Sequence, residues 1–298
     1  MIAKCLPTIL PGLSFEESIE ITKIYSVAGL LKKNQSIITG RPFRSPHHTV
    51  SAIALAGGGT IPKPGEISLS HNGVLFLDEL PEFNRNALEV MRQPLEDREV
   101  TIARIHGKYV YPAGFMLVAA RNPCPCGMYP DLNKCTCSYR QIRQYNAKIS
   151  RPLLDRIDIN VNVQKVAYED LLGTKKAETS AQIRKRVLAA QKIQRERYRS
   201  ESFHFNSQLD GRRTQKYIKL GSAEEAMIRD VFEETDLSAR GYNRVLKIAR
   251  TIADLDGSPE IREIHLKEAL FFRYQNLLED GETGRNRSYG KGAFGYGS

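Results

Sequence analysis

No apolar run in the 298 residues could cross a bilayer: the longest, around GVLFL and GFMLVAA, fall far short of the roughly 20 residues a spanning helix needs. No membrane-spanning helix is expected in these residues. The opening stretch, MIAKCLPTILPGL, carries two prolines but no basic cluster and no small-residue cleavage site, so a secretory leader is not expected and a cytoplasmic setting is. Cysteine is scarce, with five residues in all, and the odd count argues against a disulfide-rich scaffold. Internal repeats are absent too, which removes the solenoid and propeller architectures.

What is present is ordinary globular composition with an excess of base. At 41% hydrophobic and 26% charged residues the chain can bury a sizeable core, enough for one large domain and a smaller one. The formal charge of +10 favours a polyanionic partner, because clustered Lys and Arg gain from counterion release. An ordinary basic protein remains the alternative on charge alone.

The pattern of elements changes along the chain. Residues 14–32 open with Ser14 and Glu17 in capping-box spacing and continue with an apolar period near 3.6, which predicts a helix. Residues 41–73, with four prolines and a triple glycine, read as loops around short elements. GVLFL, from Gly73, is continuously apolar and predicts a fully buried parallel strand. Residues 84–98 predict a helix broken near Pro94, and residues 100–114 a β-hairpin with a basic tip. GFMLVAARN predicts a second buried strand ending on Asn122, and SRPLLDRIDINVNV a short helix followed by another strand. Beyond about residue 166 only helical patterns remain, and the Gly- and Ser-rich end cannot bury enough apolar surface to order itself. These patterns divide the chain into an α/β core over residues 1–165, a helical domain over 166–275 and a tail over 276–298.

Four of the cysteines crowd into CPCGMYPDLNKCTC, at Cys124, Cys126, Cys135 and Cys137, within a loop spanning residues 122–138. Two C-x-C pairs with eight residues between them can wrap four thiolates around one tetrahedral ion, and zinc is the natural occupant. A reducible disulfide pair and free thiols stay open as alternatives.

The apolar strand GVLFL runs directly into two carboxylates, Asp78 and Glu79. In open parallel sheets ligands bind beyond the carboxyl ends of the strands, and adjacent acids there repel one another unless a cation or a reaction requires both. The form is that of a Walker B element, in which the first acid holds the water shell of Mg²⁺ and the second polarises the water that attacks a γ-phosphate. The alternative is a strand capped by solvated acids. Asn122, at the end of the next apolar strand, is placed to orient the same water.

The stretches RPFRSPHHT, KPGEISLSHNGVLFLDELPEF, RNPCPCG, LLDRIDI and SARGYNRVLKIARTIADL together resemble the ComM/YifB group of magnesium-chelatase-like AAA+ ATPases, over roughly residues 1–275. The resemblance implies a ring-forming ATPase that uses ATP and Mg²⁺ and moves branched DNA junctions. It implies Asp78 as the magnesium acid, Glu79 as the catalytic acid and Asn122 as the sensor asparagine. Arg156 is similar to the arginine finger that reaches a neighbouring subunit's site, unless it pairs with Asp155 or Asp158. Arg240 resembles the second sensor, and Arg244 shares its helix face. A basic insertion with Lys63 and the hairpin tip with Arg104, His106, Lys108 and Tyr109 resemble the DNA-facing loops of this clade, with chemistry suited to backbone tracking and base stacking. For His47 and His48 packing is expected, and no chemical role.

The family also carries a phosphate-binding G-x-x-x-x-G-K-[ST] just before a helix resembling MIAKCLPTILP, and no such motif occurs in these 298 residues. The expectation is a fragment that binds ATP poorly and hydrolyses it negligibly, since positioning of the phosphates is most of phosphoryl transfer. Two other functions remain: the I-type motor subunit of a magnesium chelatase, and a non-catalytic remnant that still joins rings. The cysteine loop and RPFRSPHHT look like the ComM group rather than the chelatase motor.

Overall fold

The computed structural model describes residues 2–104, 107–163, 178–235 and 237–279. The chain divides into two compact units, residues 1–157 and 158–298. The boundary expected near residue 165 and the hairpin-tip residue His106 lie outside the described residues.

The first unit is mixed α/β. It opens with helices α1 (Ile2–Ile9) and α2 (Phe15–Ala28). Ser14 Oγ accepts the Glu17 N–H at 3.1 Å while the Glu17 carboxylate accepts the Ser14 N–H at 2.8 Å, and Gly29 ends α2 in the left-handed region. Such a cap stabilises a helix by about 1 kcal/mol. There follow β1 (Phe43–Arg44), α3 (Ala52–Ala56), β2 (Gly57–Gly58), β3 (Lys63–Pro64), α4 (Glu66–Leu69) and β4 (Val74–Leu77). Next come α5 (Arg85–Glu89), α6 (Arg92–Asp97), β5 (Glu99–Arg104), β6 (Gly107–Pro112), β7 (Met116–Ala119), α7 (Tyr139–Asn146) and α8 (Arg151–Leu154).

Strands β1, β4 and β7 form a parallel sheet with β4 in the middle. Val74, Leu75 and Leu77 of β4 are fully buried, which is why this strand is apolar without alternation. Gly73 is obligatory at its start, because a Cβ there would lie 2.1 Å from the Pro42 carbonyl oxygen and push β1 away. The core gathers Leu75 and Leu77 with Leu55, Ile67, Leu88, Met91, Val100 and Leu153.

Three expectations need correction. Strand β7 is not buried: it is an edge of the described sheet, with Met116 and Ala119 exposed and Leu117 and Val118 half-buried. No strand forms over residues 157–163. There Ile159, Val161 and Val163 are 50%, 62% and 78% exposed, and no strand among the described residues pairs with them. The helix break falls between α5 and α6 rather than at Pro94, because the restart at Arg92 puts the proline in the first turn, where its missing N–H costs nothing.

The second unit is helical among its described residues: α9 (Ser180–Arg197), α10 (Gly211–Tyr217), α11 (Ser222–Glu234), α12 (Ala239–Leu255) and α13 (Glu263–Glu279). The last of these runs four residues into the stretch expected as tail. Its core includes Tyr198, Val245, Ala249, Ala253 and Leu266. Asp254, 1% exposed, is compensated by the Arg197 guanidinium, by Arg250 Nε at 3.1 Å and by Asn206 Nδ2 at 2.8 Å. No helix is long and apolar enough to cross a membrane among the described residues.

Candidate functional site

Burial of β4 forces its two following acids out at the carboxyl end of the sheet, and both Asp78 and Glu79 are exposed. Asp78 Oδ1 accepts the Glu79 N–H at 3.1 Å. Glu79 itself sits in the left-handed region, at φ 52° and ψ 49°, a conformation that costs a non-glycine residue about 1–2 kcal/mol. Such strain is common where a side chain is held for function. The chain then turns into Leu80–Glu82.

The end of β7 runs alongside the acids. Ala120 donates to the Leu77 carbonyl and accepts from the Leu80 N–H, both at 2.9 Å, and Asn122 emerges exposed two residues further on. The sheet thus delivers Asp78, Glu79 and Asn122 to one edge. Sequence reasoning missed a fourth member of this edge. His48 Nδ1 lies 3.5 Å from a Glu79 carboxylate oxygen, its ring is 4.0 Å from that of His47 and it meets Phe83 edge-on. His48 thus packs against His47 and Phe83 as expected, and in addition places its side chain, 32% exposed, beside the second acid. The only hint lay in the paired histidines after β1, the strand that neighbours β4.

The cysteine loop folds its four sulfurs together. All four Sγ atoms lie within 4.8 Å of one another, with Cys124–Cys126 at 3.4 Å, Cys124–Cys135 at 3.8 Å and Cys126–Cys135 at 3.7 Å. Metal–sulfur bonds of about 2.3 Å in a tetrahedron put sulfurs about 3.8 Å apart, so this spacing is that of a metal shell. It is not that of a disulfide, whose sulfurs lie about 2.05 Å apart, and all five cysteines are free thiols. Backbone N–H groups of Met128 and Thr136, with help from Cys124, pull the Cys126 thiol down to about 6. The Cys137 N–H pulls Cys135 the same way, but burial and the sulfurs of Cys126 and Cys124 outweigh it and push that thiol up to about 11. One thiol is thus ready as a thiolate and another is held protonated until something positive arrives. The cluster could hold a metal ion such as zinc.

This loop is anchored behind the acid edge by α7. Ile142, Tyr145 and Ile149 are buried on one side of that segment. Burial raises the Tyr145 phenol, with further upward pushes from Glu82, Glu79 and Cys124. Lys148 reaches Glu82 at 3.2 Å and Arg121 reaches Asn146 at 3.4 Å.

The arginines lie elsewhere. Arg156 pairs with neither Asp155 nor Asp158 in the contacts it makes: its guanidinium meets Glu96 at 2.8 Å and the Pro152 carbonyl at 2.7 Å, while Nε is buried without a partner. It lines a cleft of about 450 Å³ with Glu89, Arg92, Gln93 and Thr101. In the second unit Arg240 is exposed in the first turn of α12, and Arg244, one turn on, is engaged by Asp158 at 2.6 Å. The basic loops come together in the first unit. Tyr111 of β6 donates to the Pro62 carbonyl at 2.8 Å, tying the hairpin to the β2–β3 ribbon, so that exposed Lys63, Arg104, Lys108 and Tyr109 belong to one module.

Two family models match: "Magnesium chelatase, subunit ChlI" over residues 1–171 and "Magnesium chelatase, subunit ChlI C-terminal" over residues 177–273. The competence protein ComM of Haemophilus influenzae is 44% identical over 276 residues, which is 92% of this chain and 53% of the relative. The YifB protein of Salmonella typhimurium is 42% identical over 278 residues, with the same two shares, and YifB of Escherichia coli is 42% identical over 274. The chain spans about half the length of the curated relatives it matches. With the parallel sheet, the acid pair at its carboxyl edge and these matches together, the chain belongs to the magnesium chelatase ChlI family, in the group that holds ComM and YifB.

Proposed function

We propose that this chain is the motor portion of an ATP-dependent AAA+ machine that works as a homo-oligomeric ring on branched DNA. The observation that carries the reading is the convergence of Asp78, Glu79 and Asn122 at the carboxyl edge of a parallel sheet. Asp78 offers the hard carboxylate oxygen that suits Mg²⁺, which when bound would neutralise charge on the phosphates of ATP. Glu79 polarises the attacking water and Asn122 orients it. Arg156 serves a neighbouring subunit's site by leaving Glu96, and Arg240 and Arg244 are the sensor-side arginines of a helical lid. Residues 1–165 act as the ATPase core, residues 166–275 as the lid and 276–298 as a tail. Lys63, Arg104, Lys108 and Tyr109, with His106, face DNA, and zinc in the cysteine loop is structural. The name of the competence relative ComM supports the DNA side of this reading.

The test uses a full-length protein carrying these residues. Glu79→Gln should lower ATP turnover on the order of 100-fold or more with nucleotide binding retained, because a positioned base acts mainly in the transition state. Turnover at the parental rate would remove Glu79 from the mechanism. Failure of the parent to move a labelled four-way junction with ATP would remove the branched-DNA substrate.

A further inference from the structure

Residues 121–151 form a one-sidedly basic stretch that the proposed DNA module does not use. They hold six Lys or Arg against one Asp, where the whole chain holds 44 against 34. Helix α7 shows how this charge is displayed. Its buried face is Ile142 and Tyr145, and its outer face carries exposed Tyr139, Arg140, Arg143 and Gln144. Tyr139 and Arg143 are four residues apart and Arg140 and Arg143 three, so the ring and both guanidiniums share one side of the helix. Tyr139 is 60% exposed, a large aromatic surface that nothing in the fold needs in water. A Ser138–Gln141 capping box starts helix α7, and the four-sulfur cluster, ending at Cys137, immediately precedes it.

We propose that this outer face of α7, held by the cysteine cluster, is a second contact for single-stranded DNA, separate from the β5–β6 hairpin. Arg140 and Arg143 meet successive phosphates and Tyr139 supplies a face on which a base stacks. The cysteine loop is the rigid base that presents them. The same helix carries Tyr145, close enough to Glu79 and Glu82 to feel their charge, and is followed by Lys148, bonded to Glu82. A strand lying on α7 therefore rests on a segment that is tied to Glu82, three residues beyond the acid pair. The inference rests on the DNA reading of the function, and its test keeps the two apart.

The experiment measures binding of a fluorescein-labelled 30-nucleotide single-stranded DNA by anisotropy, using the 298-residue chain purified with zinc, at several salt concentrations and without nucleotide. Arg140→Glu with Arg143→Glu should weaken binding at least tenfold, and the milder Arg140→Gln with Arg143→Gln should flatten the dependence of log affinity on log salt by about 1.4, two contacts at about 0.7 each. Tyr139→Ala should lose the quenching of a 2-aminopurine probe, with affinity falling on the order of tenfold. Zinc content and circular dichroism of the glutamine pair are measured beside the parent, and a match assigns the lost affinity to the missing charges rather than to the fold. Parental affinity and salt slope in the α7 variants, with loss only in Arg104→Glu/Lys108→Glu, would overturn this proposal and leave the hairpin as the DNA site. No binding by the parent chain would overturn the DNA reading along with it. Displacement by polyglutamate as effective as by unlabelled DNA would show a surface that reads acid alone, and would overturn the nucleic-acid assignment.

Discussion

The cysteine cluster and the acid edge lie in the same unit and differ in how much of the chain each one needs. The cluster is complete within residues 124–137, where two C-x-C pairs and the turns between them bring four sulfurs within 4.8 Å. The acid edge draws on residue 48, residues 78 and 79 and residue 122, each delivered by a different strand end. A locally encoded site is held by its own turns and its ligand. A site assembled across strands is held by the core beneath it. Stripping the ligand should therefore damage one region, and weakening the core the other.

The largest effect expected is on the cluster. Cys124→Ser, or prolonged chelation, should abolish stoichiometric metal in elemental analysis and make residues 122–138 easier to unfold, because structural zinc adds many kcal/mol to the loop that binds it, about 10–16 in isolated peptides. The absence of metal in protein purified under reducing conditions would break this half of the comparison. Next comes the core under the acids. Leu77→Ala, at a position with no exposure, should cost about 2–5 kcal/mol in denaturant unfolding and leave metal content intact. Loss of metal in that variant would mean that the two regions are not independent.

A pH dependence sharpens the cluster further. With metal removed, Cys126 is held down at about 6 by the Met128 and Thr136 N–H groups, while Cys135 is pushed up to about 11. A lowered thiol contributes stability above its ordinary value near 9, and that contribution is lost as pH falls through about 6. The raised thiol has the opposite sign: its contribution is present below the ordinary value and is lost as pH rises through about 11. Alkylation followed by mass spectrometry should label Cys126 first, half-maximally near pH 6, and Cys135 last. Equal rates at pH 7 would show that the loop does not keep its shape without metal.

What could be read from the sequence follows the same divide. The Ser14 cap, the cysteine spacing, the hairpin and the run of GVLFL into Asp78 are signals within a few residues, and each corresponds to a local structure. What could not be read depends on distant neighbours. The alternation in INVNV has the form of a strand, yet a strand needs a partner and none of the described residues supplies one. GFMLVAA is apolar enough for a central strand, but position in a sheet is a property of the topology, and β7 is at the edge of the sheet that the described residues form. His48 is 31 residues from Glu79, and Arg156 is 60 from Glu96. Neither pairing has a spacing to betray it. Arg156 shows the cost, since its nearest acids in sequence were the wrong partners.

The smallest effect isolates the backbone of the acid edge from its chemistry. Glu79 holds a left-handed conformation that glycine adopts without penalty, so Glu79→Gly should unfold later than Glu79→Ala, by about 1 kcal/mol. Both variants lose the carboxylate and its 3.5 Å contact with His48, a pair of exposed groups worth little in water. Their difference therefore cancels everything except the Cβ at φ 52° and the freedom of glycine in the unfolded chain, which works against the expected gain. A stabilised Glu79→Gly protein without turnover would mean that the fold bears strain here to keep a carboxylate in place, as a reaction site requires and a solvated strand cap does not. Equal midpoints for the two variants would mean that the turn after β4 carries no strain, and the acid edge would then rest on its position in the sheet alone.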